Sequence, residues 1–381
     1  MILFIDGIIT PYQIARYNLL NKNLNKPILV WFQDHTENFR GTNNTNNISF
    51  KYKVLDLFKI NFLGTDFLTL RINKRIIKEL NLIKKDIDRI VITGWDQPIC
   101  LVACLWAKKN GIKVTLRSGS TINEDSFLRS ITKPYVKWFV KLFDDYISYG
   151  TASSKYLSLL GAQEKKIFKF FNTVDINFFA NQSNSRKKEK QILKKLLKIR
   201  ENEFVILSSG RFVKLKQFSY LINVFKKFHM KHPKSKLIIM GDGPEFDNCK
   251  KEAGNLLNRK IFLPGLISHE QISDYYLVSS IFVLPSNREV WGLVVNEALA
   301  CSLPALVSNV AGCTQDLIIE GKTGYTFNSN SKNDLLNKLE KVYNVFLNES
   351  NFLALKKACQ NHIKKFTINK NIQKLNIFWG I

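Results

Sequence analysis

Two glutamates eight residues apart, Glu289 and Glu297, stand in the stretch LPSNREVWGLVVNEALACSLP. Carboxylates accept paired hydrogen bonds from vicinal hydroxyls, so such a pair suits the holding of a sugar or a ribose. Spacing alone is thin ground: with 31 acidic residues in 381, chance leaves roughly two or three pairs at that separation. The surroundings say more. Ile281 to Leu284 is a short apolar run, 285–288 is a turn-rich break, and helical patterning then runs from Val290 to Ala300, short of Ser302 and Pro304. A strand, a tight loop and a helix are expected. Gly292 falls where the helix should begin and leaves the backbone N–H groups of Val290, Trp291, Gly292 and Leu293 open to a ligand. Those donors and the positive end of the helix dipole suit a phosphate. A plainer reading stands beside this one: Ser286 and Glu289 fit an S-x-x-E capping box, with Glu297 a solvated helix residue.

Two further strand ends carry similar groups. After the apolar run Phe204 to Ser208 come Gly210 and Arg211, with Lys216 five residues on. A planar guanidinium fork and a lysine point charge can close on one diphosphate; the alternative is a solvated basic loop. After Leu237 to Met240 comes GDGP, where Gly241 and Gly243 allow a tight turn close to a ligand and Pro244 can open a helix.

The elements that must position these residues alternate strand and helix through both halves of the chain. Strands are expected at Ile2 to Ile5, Ile28 to Phe32, Arg89 to Thr93, Lys113 to Leu116, Tyr146 to Ser148 and Ile167 to Phe170. The second half repeats the plan, with strands at Phe204 to Ser208, Leu237 to Met240, Ile261 to Leu263, Ile281 to Leu284 and Ala305 to Val307. Such alternation implies α/β architecture: two doubly wound, Rossmann-like parallel-sheet domains. Facing each other, they place a ligand in the cleft at the carboxyl ends of their strands. The polar, basic stretch 181–200 reads as a connection leading into a charged helix.

Five segments in order, GRFVKLKQ, LIIMGDGP, FLPGLISHEQISDYY, REVWGLVVNEALACSLPALVS and EGKTGYTF, resemble the successive motifs of the retaining glycosyltransferases of family 4, which have the GT-B fold. The match runs over roughly residues 204 to 327, while the first half matches loosely, through PYQIARYNLL and FNTVDINFF. The resemblance implies an N-terminal acceptor-side domain over 1–174, against which a helix at about 361–381 packs back, and a donor domain over 175–360. It implies that Arg211 and Lys216 bind the donor diphosphate, that Gly210, Gly241 and the loop from Val290 through Trp291 and Gly292 to Leu293 meet phosphate and sugar, that Glu289 holds sugar hydroxyls, and that Glu297 holds the ribose. The implied reaction needs neither metal nor cofactor. The leaving phosphate takes the acceptor's proton on the same face, which makes Glu289 a positioning group.

This chain departs from the family pattern in places. The first loop, DGIITPYQ, has only Gly7 where many members have a glycine pair, and Arg117 stands at the strand end where many have an acceptor-side histidine. Gly7 and Arg117 are the acceptor-side candidates. Gln217 replaces the glycine usual after the lysine. Asp86 and Asp88 form a literal D-x-D, but they precede a strand and read as a solvated turn. The histidines, His35, His229, His232, His269 and His362, have no metal-ligand spacing, and His229 and His232 read as surface residues.

Composition bounds the partners. A formal net charge of +26, from 57 Lys and Arg against 31 Asp and Glu, calls for an anionic partner, though a Lys-, Asn- and Ile-rich coding bias accounts for it equally well. Arg129, Lys133, Lys137 and Lys141 recur every fourth residue beside Tyr135, Trp138, Phe139 and Phe143, a pattern that fits either an anionic bilayer or a helix with one edge in water; Pro134 is expected to mark the start of that helix. Six cysteines without paired spacing, no run of apolar residues long enough to cross a bilayer, and the opening MILFIDGII together lead to the expectation of a cytoplasmic protein, peripheral on the inner face of the membrane. The function expected is transfer of a sugar from a nucleotide-sugar donor to a glycan or lipid-linked acceptor in surface-polysaccharide or lipopolysaccharide synthesis. The rival readings are another GT-B enzyme, such as a nucleotide-sugar epimerase, and a basic nucleic-acid binder, the latter without a recognisable motif.

Overall fold

The computed structural model describes residues 1–34, 47–61, 69–73, 75–124 and 127–381. The chain divides into two compact units, Met1–Asn172 together with Ile368–Ile381, and Thr173–Thr367.

The first unit contains β1 (Ile2–Ile8), β2 (Ile28–Asp34), β3 (Lys51–Val54), β4 (Phe58–Asn61), β5 (Thr69–Ile72), β6 (Arg89–Thr93), β7 (Lys113–Ser118), β8 (Asp145–Ser148) and β9 (Ile167–Lys169). Seven of these form one parallel sheet in the order β3-β2-β1-β6-β7-β8-β9, and β4 pairs with β5 as an antiparallel ribbon. Successive side chains of a strand point to opposite faces, so β1 feeds two cores. Leu3 and Ile5 pack with Ile90, Ile92, Val114 and Leu116 on one side, and Ile2 and Phe4 with Val30, Phe32 and Tyr17 on the other. The second core is closed by the helix Ile368–Trp379, whose Ile368, Ile372, Leu375 and Trp379 fall on one stripe at helical spacing. Each such large apolar side chain, taken fully out of water, contributes about 1.5–3 kcal/mol.

The second unit contains β10 (Phe204–Ser209), β11 (Ser235–Met240), β12 (Ile261–Gly265), β13 (Ile281–Leu284), β14 (Ala305–Ser308) and β15 (Gly324–Phe327), ordered β12-β11-β10-β13-β14-β15 and parallel throughout. The strands β10 and β13 are buried along their whole length, as runs such as FVILSS and IFVL require when helices cover both faces. The chain steps outward from β10 through β11 to β12, then returns to lay β13 on the other side of β10. The carboxyl ends at such a reversal form a natural crevice for ligands. The first unit has its reversal between β1 and β6.

Several elements lie outside the sequence expectation. The strand β3 is four residues long and mostly exposed, and its KYKV sequence has no apolar run to mark it. The ribbon β4–β5 and the strand β15 went unpredicted as well. Pro134 does not start a helix: it lies inside the helix Phe127–Val140. A proline there forfeits one backbone hydrogen bond on the solvent side, and burial of Val136, Phe139 and Val140 offsets that loss. All six cysteines are buried and free. Among the described residues no helix is long and apolar enough to cross a membrane.

Candidate active site

The reversal point of the second sheet gathers most of the predicted donor residues. Gly210 follows β10 and donates its N–H to the Met240 carbonyl at 3.0 Å, while Gly241, following β11, donates to the Gly265 carbonyl at 2.8 Å. Gly241 has φ +125°, and a Cβ there would lie 1.9 Å from the Gly210 carbonyl oxygen, so only glycine lets these two strand ends touch. Beyond Gly210 the loop is pinned by Phe212. Its N–H donates to the Asp242 carbonyl at 2.8 Å, its own carbonyl accepts from Glu245 N–H at 2.8 Å, and its ring is fully buried against Phe218 and Phe246. Arg211, between these anchors, is exposed.

A short turn, Lys214–Lys216, follows, and Gln217 closes it with φ +52°. That left-handed backbone is the physical reason a glycine suits this position; here glutamine adopts it, with its buried Oε1 lacking a partner among the described residues. The loop after β13 docks on this turn: Asn287 N–H donates to the Leu215 carbonyl at 3.0 Å. On its other side the same loop is held by Gly312 N–H to the Glu289 carbonyl and Cys313 N–H to the Trp291 carbonyl, both at 3.1 Å. Clamped from two sides, Glu289 receives the Lys216 ammonium on its Oε2, and both side chains are mostly buried. Two residues 73 apart in sequence, given to sugar and diphosphate respectively, thus form one ion pair.

The helix Leu293–Ala300 begins at Gly292, whose φ is +100° and whose hypothetical Cβ would stand 2.8 Å from Leu284 Cδ2. The capping box does not form. Glu289 lies three residues ahead of the N-cap, and Ser286 is fully buried with its Oγ unmatched among the described residues. The first-turn N–H groups of Leu293 and Val294 have no intrahelical acceptor by the geometry of any helix, so they are available to an anion at the strand end. Val290 is exposed, whereas Trp291 is an anchor: it is buried and donates its indole N–H to Asn296 Oδ1 at 2.9 Å. Asn296 in turn donates to Thr173 Oγ1 at 3.3 Å.

Glu297 is not a solvated residue. It is fully buried, and its Oε2 accepts from the Tyr276 hydroxyl at 2.7 Å. Tyr276 stands in the motif FLPGLISHEQISDYY without an assigned task; its distance from Glu297 in the chain hid a contact that only the packing of two helices creates.

The acceptor-side candidates lie at the carboxyl end of the first sheet. Gly7 is a β1 residue, donates to Asp6 Oδ1 at 2.9 Å, and would tolerate a Cβ with nothing within 4 Å. Arg117, in β7, is buried. Its guanidinium pairs with Asp6 Oδ2 and donates to the Tyr17 hydroxyl at 3.1 Å, and that hydroxyl donates to Asp6 at 2.8 Å. Burial pushes the Asp6 carboxyl up, but the Arg117 charge and the hydrogen bonds from Tyr17, Arg117 and Gly7 outweigh it and hold Asp6 below the usual carboxylate range. Asp86 and Asp88 precede β6, at the opposite end of the sheet, and Asp88 pairs with Lys26 at 2.8 Å. His232 bonds Glu340 at 2.7 Å, His229 bonds Ser235 at 3.0 Å, and both are partly buried; His35 lies outside the described residues.

The family model described as "Glycosyl transferases group 1" matches residues 189–349. This segment is a domain of that family. The group 1 domain covers every donor-side residue above, from Gly210 to Glu297. Among curated relatives, the chain is 32% identical over 156 residues to the alpha-monoglucosyldiacylglycerol synthase of Acholeplasma laidlawii, spanning 40% of this chain and 38% of that protein. It is 28% identical over 207 residues to the UDP-Gal:alpha-D-GlcNAc-diphosphoundecaprenol alpha-1,3-galactosyltransferase of Escherichia coli, spanning 54% and 51%. The chain thus covers about half or less of the length of these relatives. Solved structures extend the likeness of fold beyond the group 1 domain. Anabaena Alr3699/HepE, in complex with UDP, superposes with a TM-score of 0.78 at 16% identity over 100% of this chain and 99% of that one. Both units therefore share the GT-B fold.

Proposed function

We propose that this protein is a retaining glycosyltransferase of family 4, moving a sugar from a nucleotide-sugar to a glycan or lipid-linked acceptor at the cytoplasmic face of a membrane, in surface-polysaccharide or lipopolysaccharide synthesis. The observation that carries the reading is the Lys216–Glu289 pair, held at the reversal point between β10 and β13 beside Arg211 and the first turn of Leu293–Ala300. Relatives named for UDP, for a diacylglycerol and for a diphosphoundecaprenol support a UDP-sugar as the first donor to try and a lipid-linked acceptor as the first partner.

In this reading the bond from the sugar's anomeric carbon to the phosphate oxygen breaks, leaving negative charge on the diphosphate. Arg211, Lys216 and the N–H groups of Leu293 and Val294 stabilise that charge, so the reaction needs no metal. The sugar becomes oxocarbenium-like. The acceptor hydroxyl bonds to the anomeric carbon on the face the phosphate leaves, and its proton passes to the departing phosphate oxygen. Glu289 accepts hydrogen bonds from sugar hydroxyls and orients the ring, and Glu297 serves the ribose end.

The test is incubation with UDP-hexoses, with and without a lipid-diphosphate acceptor, followed by NMR of the anomeric proton. Acceptor-dependent product of retained configuration is expected. Conversion of the nucleotide-sugar without acceptor would make the protein an epimerase, and an inverted product would overturn the mechanism.

A further inference from the structure

The helix Phe127–Val140 leaves β7 and leads back to β8, so its first turn lies at the carboxyl end of the first sheet. At about 100° per residue, Val136, Phe139 and Val140 share the side that packs into the core. The other half of the helix has two distinct flanks. One carries Ile131, Tyr135 and Trp138, spaced four and three apart and exposed by 61%, 40% and 49%. Tyr135 and Trp138 are neighbours, with ring centroids 6.0 Å apart. The other flank carries Lys133 and Lys137, continued by Lys141 just past the helix end, all exposed. Among the described residues no carboxylate pairs with these three lysines, and the sequence holds no acid from 127 to 143. Two acids precede the helix: Glu124 is buried and paired with Arg129 at 2.7 Å, and Asp125 lies outside the described residues. Ile122, in the same short turn as Glu124, is also exposed, by 53%.

Single exposed apolar residues are ordinary on a protein surface, but an aliphatic and two aromatic side chains on one stripe, beside a row of unpaired lysines, are not. Tyrosine and tryptophan favour the boundary between headgroups and acyl chains, and lysine reaches the phosphates above it. We propose that this helix docks the first unit onto an anionic lipid bilayer, with Ile131, Tyr135 and Trp138 entering the interface and Lys133, Lys137 and Lys141 meeting lipid phosphates. The occupant is a bilayer because a headgroup or nucleic-acid phosphate alone answers the lysines and leaves the apolar flank in water. The proposal deepens the glycosyltransferase reading, since docking at this edge sets the carboxyl ends of the first sheet beside a lipid-linked acceptor.

The experiment is flotation of the full chain with phosphatidylcholine vesicles, with and without phosphatidylglycerol. Binding that requires the anionic lipid and weakens with salt is expected. Combined Lys133→Gln, Lys137→Gln and Lys141→Gln should lower the affinity on the order of a hundredfold, at about fivefold per lysine. Combined Ile131→Ser, Tyr135→Ser and Trp138→Ser should abolish flotation with the thermal midpoint kept. Fluorescence quenching by bromolipids, lost in Trp138→Phe, reports insertion independently of either combined variant. Absence of vesicle binding, binding unchanged in both combined variants, or lysine-dependent binding of a DNA oligonucleotide without vesicles would each overturn the proposal. Nucleotide binding, measured apart from vesicles, tells its failure from failure of the glycosyltransferase reading.

Discussion

Lys216 and Glu289 neutralise each other at the strand ends, so in the proposed reaction an arriving diphosphate would meet a lysine already oriented by its carboxylate and not a free-swinging cation. Such a pair separates binding from chemistry. Glu289→Ala should leave the affinity for a nucleoside diphosphate within about threefold yet lower transfer on the order of 10²–10³-fold, the size of effect seen when one transition-state contact is lost. Glu297→Ala should weaken the nucleotide itself, and by removing the shorter of the Tyr276 hydroxyl's two hydrogen bonds, leaving the one to the Val294 carbonyl, should also cost about 1 kcal/mol of stability. Calorimetric titration and initial rates check the pair; equal behaviour of both variants contradicts the division of roles. The sequence made Glu289 and Glu297 visible through their motif. It did not make Lys216–Glu289 or Tyr276–Glu297 visible, because each contact joins residues that only tertiary packing brings together.

At the scale of elements, Asp6, Tyr17 and Arg117 join β1, the helix Pro11–Asn23 and β7 through one buried network. Removing one partner of a buried ion pair strands the other, so Arg117→Met should destabilise the fold by about 3–5 kcal/mol, measured by urea denaturation at neutral pH. A loss under about 1 kcal/mol contradicts the assignment. The pH dependence has a definite sign. The folded-state pKa of Asp6 is depressed, so its contribution is fully present above the unfolded value, near 3.9, and is lost as pH falls through the lower folded value. The variant lacks Arg117, and burial then favours the neutral acid, so the gap between the two proteins should narrow on acidification. The strands carrying this network were legible as apolar runs; the network was not, since Arg117 read as an acceptor-side group at a strand end. Elements without an apolar run, such as β3 with its exposed KYKV, escaped altogether, and Pro134 misled because a helix interior can carry a proline when packing of its other residues holds the helix.

For the whole molecule, each unit reverses its strand order, between β1 and β6 and between β10 and β13, and the candidate donor residues gather at the second reversal. The motifs marked the second reversal well, since Gly210, Gly241 and Gly292 are required there by backbone contact and positive φ, and the group 1 domain contains them. The first unit was legible in its strands but not in its site, because Gly7 meets no such constraint. The measurement that tests the central claim most directly is thermal unfolding of the protein with UDP, GDP and ADP. One diphosphate should raise stability by about 2.7 kcal/mol at a hundred times its Kd, with the shift abolished in Arg211→Ala and in Lys216→Ala. No shift with any of the three, or an undiminished shift in both variants, would contradict a diphosphate site at the ends of β10 and β13.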